Sequence, residues 1–308
     1  MKIIGIDFSS APRLRKPITL TIGRLAQCPL PGWTPDILHI LEHHRLPTLE
    51  AFGRWLAAPD TWVAGCDFPF GLPRPFLLAQ SWGVLPQASA PQPAWSDITD
   101  RVAALSRLEL VDRCRAWTSV RPVGSKFAHR VTDGPSGSSP SMKWVNPPVV
   151  LMLHAGAPRL LAAGVTIPGL CAGDPSRIAL EAYPGMLARQ VVGRASYKTD
   201  DRCKDDAARR AAREAITTAI EAGRMGVSVA FAPGLREPCV RDCTADTLDA
   251  VLCAVQAAWG WRRRDANYGL PPDMDPLEGW TVGALPTVPD FSSAPSTPAG
   301  RSGPARKA

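Results

Sequence analysis

The stretch that most constrains this chain is its first ten residues, MKIIGIDFSS. Ile3, Ile4 and Ile6 around Gly5 form a short apolar run rich in β-branched side chains, the composition of a strand buried on both faces. The run closes on Asp7, ahead of a small turn made by Phe8, Ser9 and Ser10. A carboxylate ending a buried first strand can hold a metal ion or position a phosphate; a solitary one can equally cap a turn. The pattern then recurs. Val63, Ala64 and Cys66 predict a second buried strand ending on Asp67, where Pro69, Gly71 and Pro73 turn the chain. The segment RIALEAY, residues 177–183, predicts a third, ending near Glu181. There Pro184 and Gly185 break it ahead of a helix over MLARQVV.

A fourth set of acids comes from the last major helix, TADTLDAVLCAVQAAWGW, with Thr244 as its expected N-cap. Leu248, Val251, Leu252, Val255 and Trp259 fall on one stripe, and four alanines between them let the helix pack closely elsewhere. Asp246 in the first turn is explained by the helix dipole, worth about 0.3–1 kcal/mol. Asp249 is not, because it sits between Leu248 and Val251 where the helix is apolar nearly all round. A buried acid without a basic neighbour in sequence needs a partner from elsewhere, and a metal ion is an economical one.

Between these elements, residues 17–26 alternate as a second strand and Thr48–Ala57 has the spacing of a short amphipathic helix. Residues 33–46 carry His39, His43 and His44 and predict a polar, solvated helix; no acidic pattern marks these histidines as metal ligands. Residues 84–96 predict a loop. Residues 98–117 predict one amphipathic helix bearing Arg101, Arg107, Arg113 and Arg115. Residues 118–142 predict a long Gly/Ser/Pro-rich loop. Arg121, Lys126, His129, Arg130 and Lys143, with Asn146 beyond, are available there for substrate phosphates. Residues 147–164 return to helical spacing, and residues 202–223 predict a long helix with Arg209, Arg210 and Arg213 on its polar side. The expected organisation is a single domain over residues 1–285, with residues 84–146 inserted into it. A Pro/Ser/Thr-rich tail, residues 286–308, is expected to be disordered.

The 308 residues suffice for a sizeable core, and a formal charge of +7 suits a polyanionic partner without requiring one. Eight cysteines without CxxC spacing read as reduced thiols, and the Cys239–Cys243 pair lacks the companions of a zinc site. With no run long enough to span a bilayer and no leader-like N-terminus, a cytoplasmic location and no membrane partner are expected.

The ordered set IGIDFSS, GCDFPFGLPR, LEAYPG, SYKTDDR, DTLDAVLCAVQAAW, NYGLP and LEGW resembles the bacterial family catalogued as domain of unknown function 429. The resemblance covers residues 1–284. It implies an α/β ribonuclease H-like fold, a mixed central sheet flanked by helices with helical and loop insertions, and a predicted nuclease activity. On it, Asp7 matches the essential first-strand acid and Asp67 the acid of a neighbouring strand. Asp249, with Asp246 beside it, matches the acids of the C-terminal helix, and Glu181 an additional strand acid. Nucleases of this fold often place Glu where Asp67 stands.

Phosphodiester hydrolysis builds charge on oxygens that are already anionic, so hard divalent cations held by carboxylates suit it. The expected cofactor is Mg²⁺ or Mn²⁺, as two ions on Asp7, Asp67, Glu181, Asp246 and Asp249, with nucleic acid as partner. Lys126, Lys143, Asn146, Lys198 and Arg202 are the expected substrate-binding residues. Two alternatives remain at this point. One is a non-catalytic nucleic-acid or protein-binding module on the same fold. The other is an actin-like ATP-dependent phosphotransferase, whose DxGxT/S second phosphate loop is missing here.

Overall fold

The computed structural model describes residues 1–26, 36–83 and 93–285. The expected tail, most of the 84–96 loop and residues 33–35 lie outside these. Seven strands form one mixed sheet: β1 (Lys2–Asp7), β2 (Ile18–Ala26), β3 (Ile37–Leu46), β4 (Trp62–Cys66), β5 (Val165–Thr166), β6 (Asp174–Glu181) and β7 (Ser228–Phe231). Their spatial order is β5-β6-β4-β1-β2-β3-β7. β1, β2 and β3 pair antiparallel, whereas β4 runs parallel to β1 and β6 parallel to β4.

Ten helices are described: α1 (Leu49–Ala57), α2 (Arg74–Ala79), α3 (Trp95–Ala103), α4 (Arg107–Ser119), α5 (Asp133–Ser136), α6 (Val149–Ala162), α7 (Pro184–Val192), α8 (Ala207–Glu221), α9 (Arg236–Arg241) and α10 (Asp246–Trp261). Strand parity sorts them onto two faces. Ile4, Ile6, Ala64, Cys66 and Ala179 face a core shared with α1, α2, α3, α4 and α6. Ile3, Val63, Ile178 and Leu180 belong to the opposite core, with α7, α8 and α10.

α10 lies directly on the second face, at β1 and β4. Gly5 and Gly65 make that approach possible. A methyl group on Gly5 would overlap the Ala250 carbonyl oxygen, and one on Gly65 the Cys253 carbonyl. The two glycines are partners in register across β1 and β4, so the helix rests in a slot where both strands are bare.

Several expectations change. The histidine-bearing segment is strand β3, not a helix. Its Leu38 and Ile40 are buried while His39 and Leu41 point outward, the alternation of a strand with one wet face. His43 bridges the Thr21 hydroxyl and the Leu235 carbonyl, at 2.9 and 3.1 Å. The helix expected over residues 98–117 is two helices, because Ser106 opens α4 with a capping box to Glu109. The helix expected to start at Arg202 begins at Ala207 instead, after a short 3-10 turn. Arg213 is not on its polar side: it is fully buried, with Asp205 at 2.9 Å and the carbonyls of Tyr197 and Val240 as partners. The 118–142 loop is packed rather than loose, with Arg130, Thr132, Asp133, Ser136, Ser141 and Met142 all buried.

Candidate active site

β1 and β4 run parallel and end together. The Asp67 amide donates to the Ile6 carbonyl at 2.9 Å, continuing the ladder one step past the Ile6–Cys66 pair and setting Asp7 beside Asp67. By parity both side chains leave the sheet on the Gly5–Gly65 face, towards the start of α10. Both line a pocket of about 750 Å³, together with Ser9, Ser10, Arg13, Lys16, Lys198 and Asp246. Among the described residues neither carboxylate has a hydrogen-bond partner, and both are only partly exposed.

The acids crowd one another. Burial raises the Asp7 carboxyl well above its ordinary value; Asp246, Asp249 and Asp67 push it further, against Lys198. Asp67 is pushed up to about 7, by burial first, with Asp249 and Glu181 adding to it and Lys198 opposing. Asp246 is raised by burial and by Asp242, while a hydrogen bond from Thr244 works the other way. Ala245, at the α10 N-cap in place of the expected Thr244, is buried in a left-handed conformation with φ of 61°.

Asp249 lies behind this pair and is already engaged. The Tyr197 hydroxyl donates to one of its oxygens at 2.7 Å and the Lys198 ammonium to the other at 2.5 Å. Lys198 is the partner that the sequence around Asp249 lacks. Burial alone would lower the Lys198 pKa, yet Asp249, Tyr197, Asp7 and Asp67 hold it above the ordinary lysine value. Arg213 in turn fixes this segment by donating to the Tyr197 carbonyl at 2.9 Å.

Glu181 is placed differently. It pairs in register with Cys66, so its side chain starts from the sheet face opposite Asp7 and Asp67, yet both it and Arg130 border the same pocket. There the Arg130 guanidinium grips both its oxygens, at 2.7 and 2.8 Å, and the Phe70 amide and Thr281 hydroxyl complete its shell at 2.8 Å each. Arg130, expected as a phosphate ligand, is buried and spends its remaining donors on Asp133 and the Glu278 carbonyl. Of the expected substrate-binding residues, Lys198 lines the pocket, whereas Lys126, Lys143, Asn146 and Arg202 do not. Lys143 donates instead to the Asn146 carbonyl at 2.7 Å. Arg13 and Lys16, which do line it, carry no motif. The signal for them is the loop length between β1 and β2, which folds them back over the strand ends.

Among the described residues no three Asp, Glu, His or Cys side chains are grouped so as to hold a metal ion. The donor chemistry nonetheless fits a hard divalent cation. Asp7 and Asp67 are unengaged carboxylates side by side, and Mg²⁺ is typically held by one or two carboxylates, waters and substrate phosphate. Comparison with family models, with curated proteins and with solved structures finds no match to this chain.

Proposed function

We propose that this protein is a metal-dependent nuclease of ribonuclease H-like fold, a diverged relative of the family catalogued as domain of unknown function 429. The observation that carries the proposal is the pairing of Asp7 and Asp67. They are two unengaged carboxylates at the carboxyl ends of adjacent parallel strands, sharing an open pocket with Asp246 of α10. Crevices beyond the carboxyl ends of parallel strands are where open α/β sheets usually bind ligands. The strand order supports the same fold, with β1, β2 and β3 an antiparallel run and β4, β6 and β5 parallel on the other side of β1.

Asp7 and Asp67 would hold Mg²⁺ or Mn²⁺, with Asp246 adding negative charge behind them. When bound, the ion supplies Lewis-acid stabilisation of phosphoryl oxygens and an activated water. The two unengaged carboxylates suit one ion; recruiting Asp249 for a second requires its release from Lys198. Tyr197 and Asp249 orient Lys198, whose ammonium offsets the crowded acids and reaches the pocket where substrate phosphate lies. Glu181, locked by Arg130, holds the β6 end against the 130–133 segment.

Cleavage of labelled DNA, RNA, hybrid and branched oligonucleotides in Mn²⁺ tests the activity. The parent cuts at least one of these, and Asp7→Asn and Asp67→Asn cut none at a tenth of the parental rate. A parent inert on all of them in Mn²⁺ and Mg²⁺ would overturn it.

A further inference from the structure

Directly after Asp7 the chain enters a hairpin with an unusual tip. Arg13 and Lys16 exchange both backbone hydrogen bonds, at 3.0 and 2.9 Å, leaving Leu14 and Arg15 as the two-residue turn. All four side chains of Arg13, Leu14, Arg15 and Lys16 are exposed, Leu14 at 85%. The arm beneath is stiff. Pro12 and Pro17 restrict the backbone at its two ends. Arg107 of α4 braces it, donating to the Ser10 carbonyl at 2.8 Å and reaching the Ser10 hydroxyl at 3.5 Å.

Two of these cations, Arg13 and Lys16, form part of the wall of the Asp7–Asp67 pocket. Lys16 is tied to Asp200 at 2.8 Å, itself largely exposed. The side chains of Arg13 and Arg15 have no hydrogen bond or ion pair among the described residues. Guanidinium groups without an internal partner, on a braced arm, are built for an anion from outside. Their planar fork suits phosphate.

Resting on the nuclease reading above, we infer that the Arg13–Lys16 hairpin tip is the clamp for the nucleic-acid backbone, gripping phosphates that flank the one presented to Asp7 and Asp67. A pocket floor of acids repels a polyanion, so a nuclease with this floor needs cations at the rim to hold the strand over it. The hairpin provides them on the same chain segment as Asp7, so the distance between grip and floor is set by one short loop. The exposed Leu14 between them offers an apolar contact for sugar or base. Nucleic acid is favoured over an acidic protein because the cations border the floor proposed to act on phosphodiesters.

The test is binding of a fluorescein-labelled 20-nucleotide DNA, single-stranded and duplex, by the full chain in chelator, read by anisotropy between 50 and 200 mM KCl, about the range over which phosphate contacts show their salt dependence. Removing both guanidinium groups in Arg13→Ala/Arg15→Ala should weaken binding roughly tenfold or more. The slope of log affinity against log salt should fall by about 1.4–1.8, that is about 0.7–0.9 per lost phosphate contact. Arg13→Lys/Arg15→Lys should recover most of the affinity. Arg54→Ala/Arg101→Ala, an equal charge change on exposed residues of α1 and α3, should leave it within about twofold. Thermal midpoints matching the parent establish that the variants are folded.

Parental affinity and slope in the double alanine variant overturn the clamp, as does an equal loss in the α1/α3 control. Mn²⁺-dependent cleavage by that variant at the parental KM also overturns the clamp while leaving the nuclease reading standing. Hairpin-dependent binding without cleavage in any metal supports the clamp and removes the nuclease reading. A parent that neither binds nor cuts removes both.

Discussion

Arg130 and Glu181 face each other as a buried, two-pronged ion pair, with hydrogen bonds of 2.7 and 2.8 Å and neither side chain more than 3% exposed. They join the end of β6 to a segment 51 residues earlier in sequence. Asp133 shares the guanidinium, and Thr281 shares the carboxylate. A buried charge stripped of its partner is costly, about 3–5 kcal/mol. Arg130→Met is therefore expected to lower unfolding free energy by about that much in urea titrations. A loss under about 1 kcal/mol would show that the pair is not the clasp it looks like.

Gly5 and Gly65 make a second, sharper stability prediction. Each has the backbone of α10 where a Cβ would go, so relief requires the helix to move off the sheet. Gly5→Ala and Gly65→Ala should each cost about 3 kcal/mol or more, the upper range for overpacking. Gly53 lies inside α1 with nothing within 4 Å of its missing Cβ. Gly53→Ala should instead stabilise by about 0.5–1 kcal/mol. Equal effects at the three glycines, read from thermal midpoints, would contradict the close approach of α10.

Much of this architecture is legible in the chain. β1, β4 and β6 announce themselves as apolar runs closed by an acid, and α10 as an apolar helix interrupted by Asp249. β3 escapes because its inward residues Leu38 and Ile40 are few among exposed His39, Leu41, Glu42 and His44, and a register shift beside Gly23 blurs the alternation. The site is half legible for a related reason. An acid at a strand end says nothing about which face it takes until the register is known. Asp7 and Asp67 share a face, while Glu181, level with Cys66, takes the other. Asp249 reads as a metal ligand in sequence because its partner, Lys198, stands 51 residues upstream and is delivered by a loop that Arg213 anchors.

The Asp67 carboxyl supports a pH prediction. Its pKa in the folded protein is about 7, against an ordinary value of 3.8, so the fold binds this proton more tightly than the unfolded chain does. The stabilisation from the proton is complete below about pH 4 and is lost as pH rises through about 7. Asp67→Asn has no such proton to lose. In chelator, its stability relative to the parent should therefore rise between pH 5 and 8, by roughly 1–2 kcal/mol once solvent at the pocket mouth is allowed for. Chemical denaturation of both proteins at several pH values measures this. A difference that stays flat, or that falls with pH, would mean that burial does not hold the Asp67 carboxyl above its ordinary value.

The last prediction separates the two kinds of acid partner at the pocket. Asp7 faces other acids, whereas Asp249 faces Lys198 and Tyr197. Asp7→Asn removes a repelled charge, so in chelator it should be as stable as the parent or more stable. Lys198→Met leaves Asp249, which is 1% exposed, with only the tyrosine hydroxyl, so in chelator it should lose about 1–3 kcal/mol. Added Mn²⁺ should reverse the ranking. Ligand linkage raises stability by about 2.7 kcal/mol at a hundredfold excess over the dissociation constant. The parent should gain on that scale and Asp7→Asn should gain little. Lys198→Met should gain most, because the competing cation is gone and a further carboxylate is released. Thermal melts of the three proteins, each in chelator and in millimolar Mn²⁺, read out the order without any assay of activity. Equal metal-induced shifts in parent and Asp7→Asn would remove Asp7 from the metal site. The absence of a shift in all three would mean that the Asp7–Asp67 pair does not hold a divalent cation.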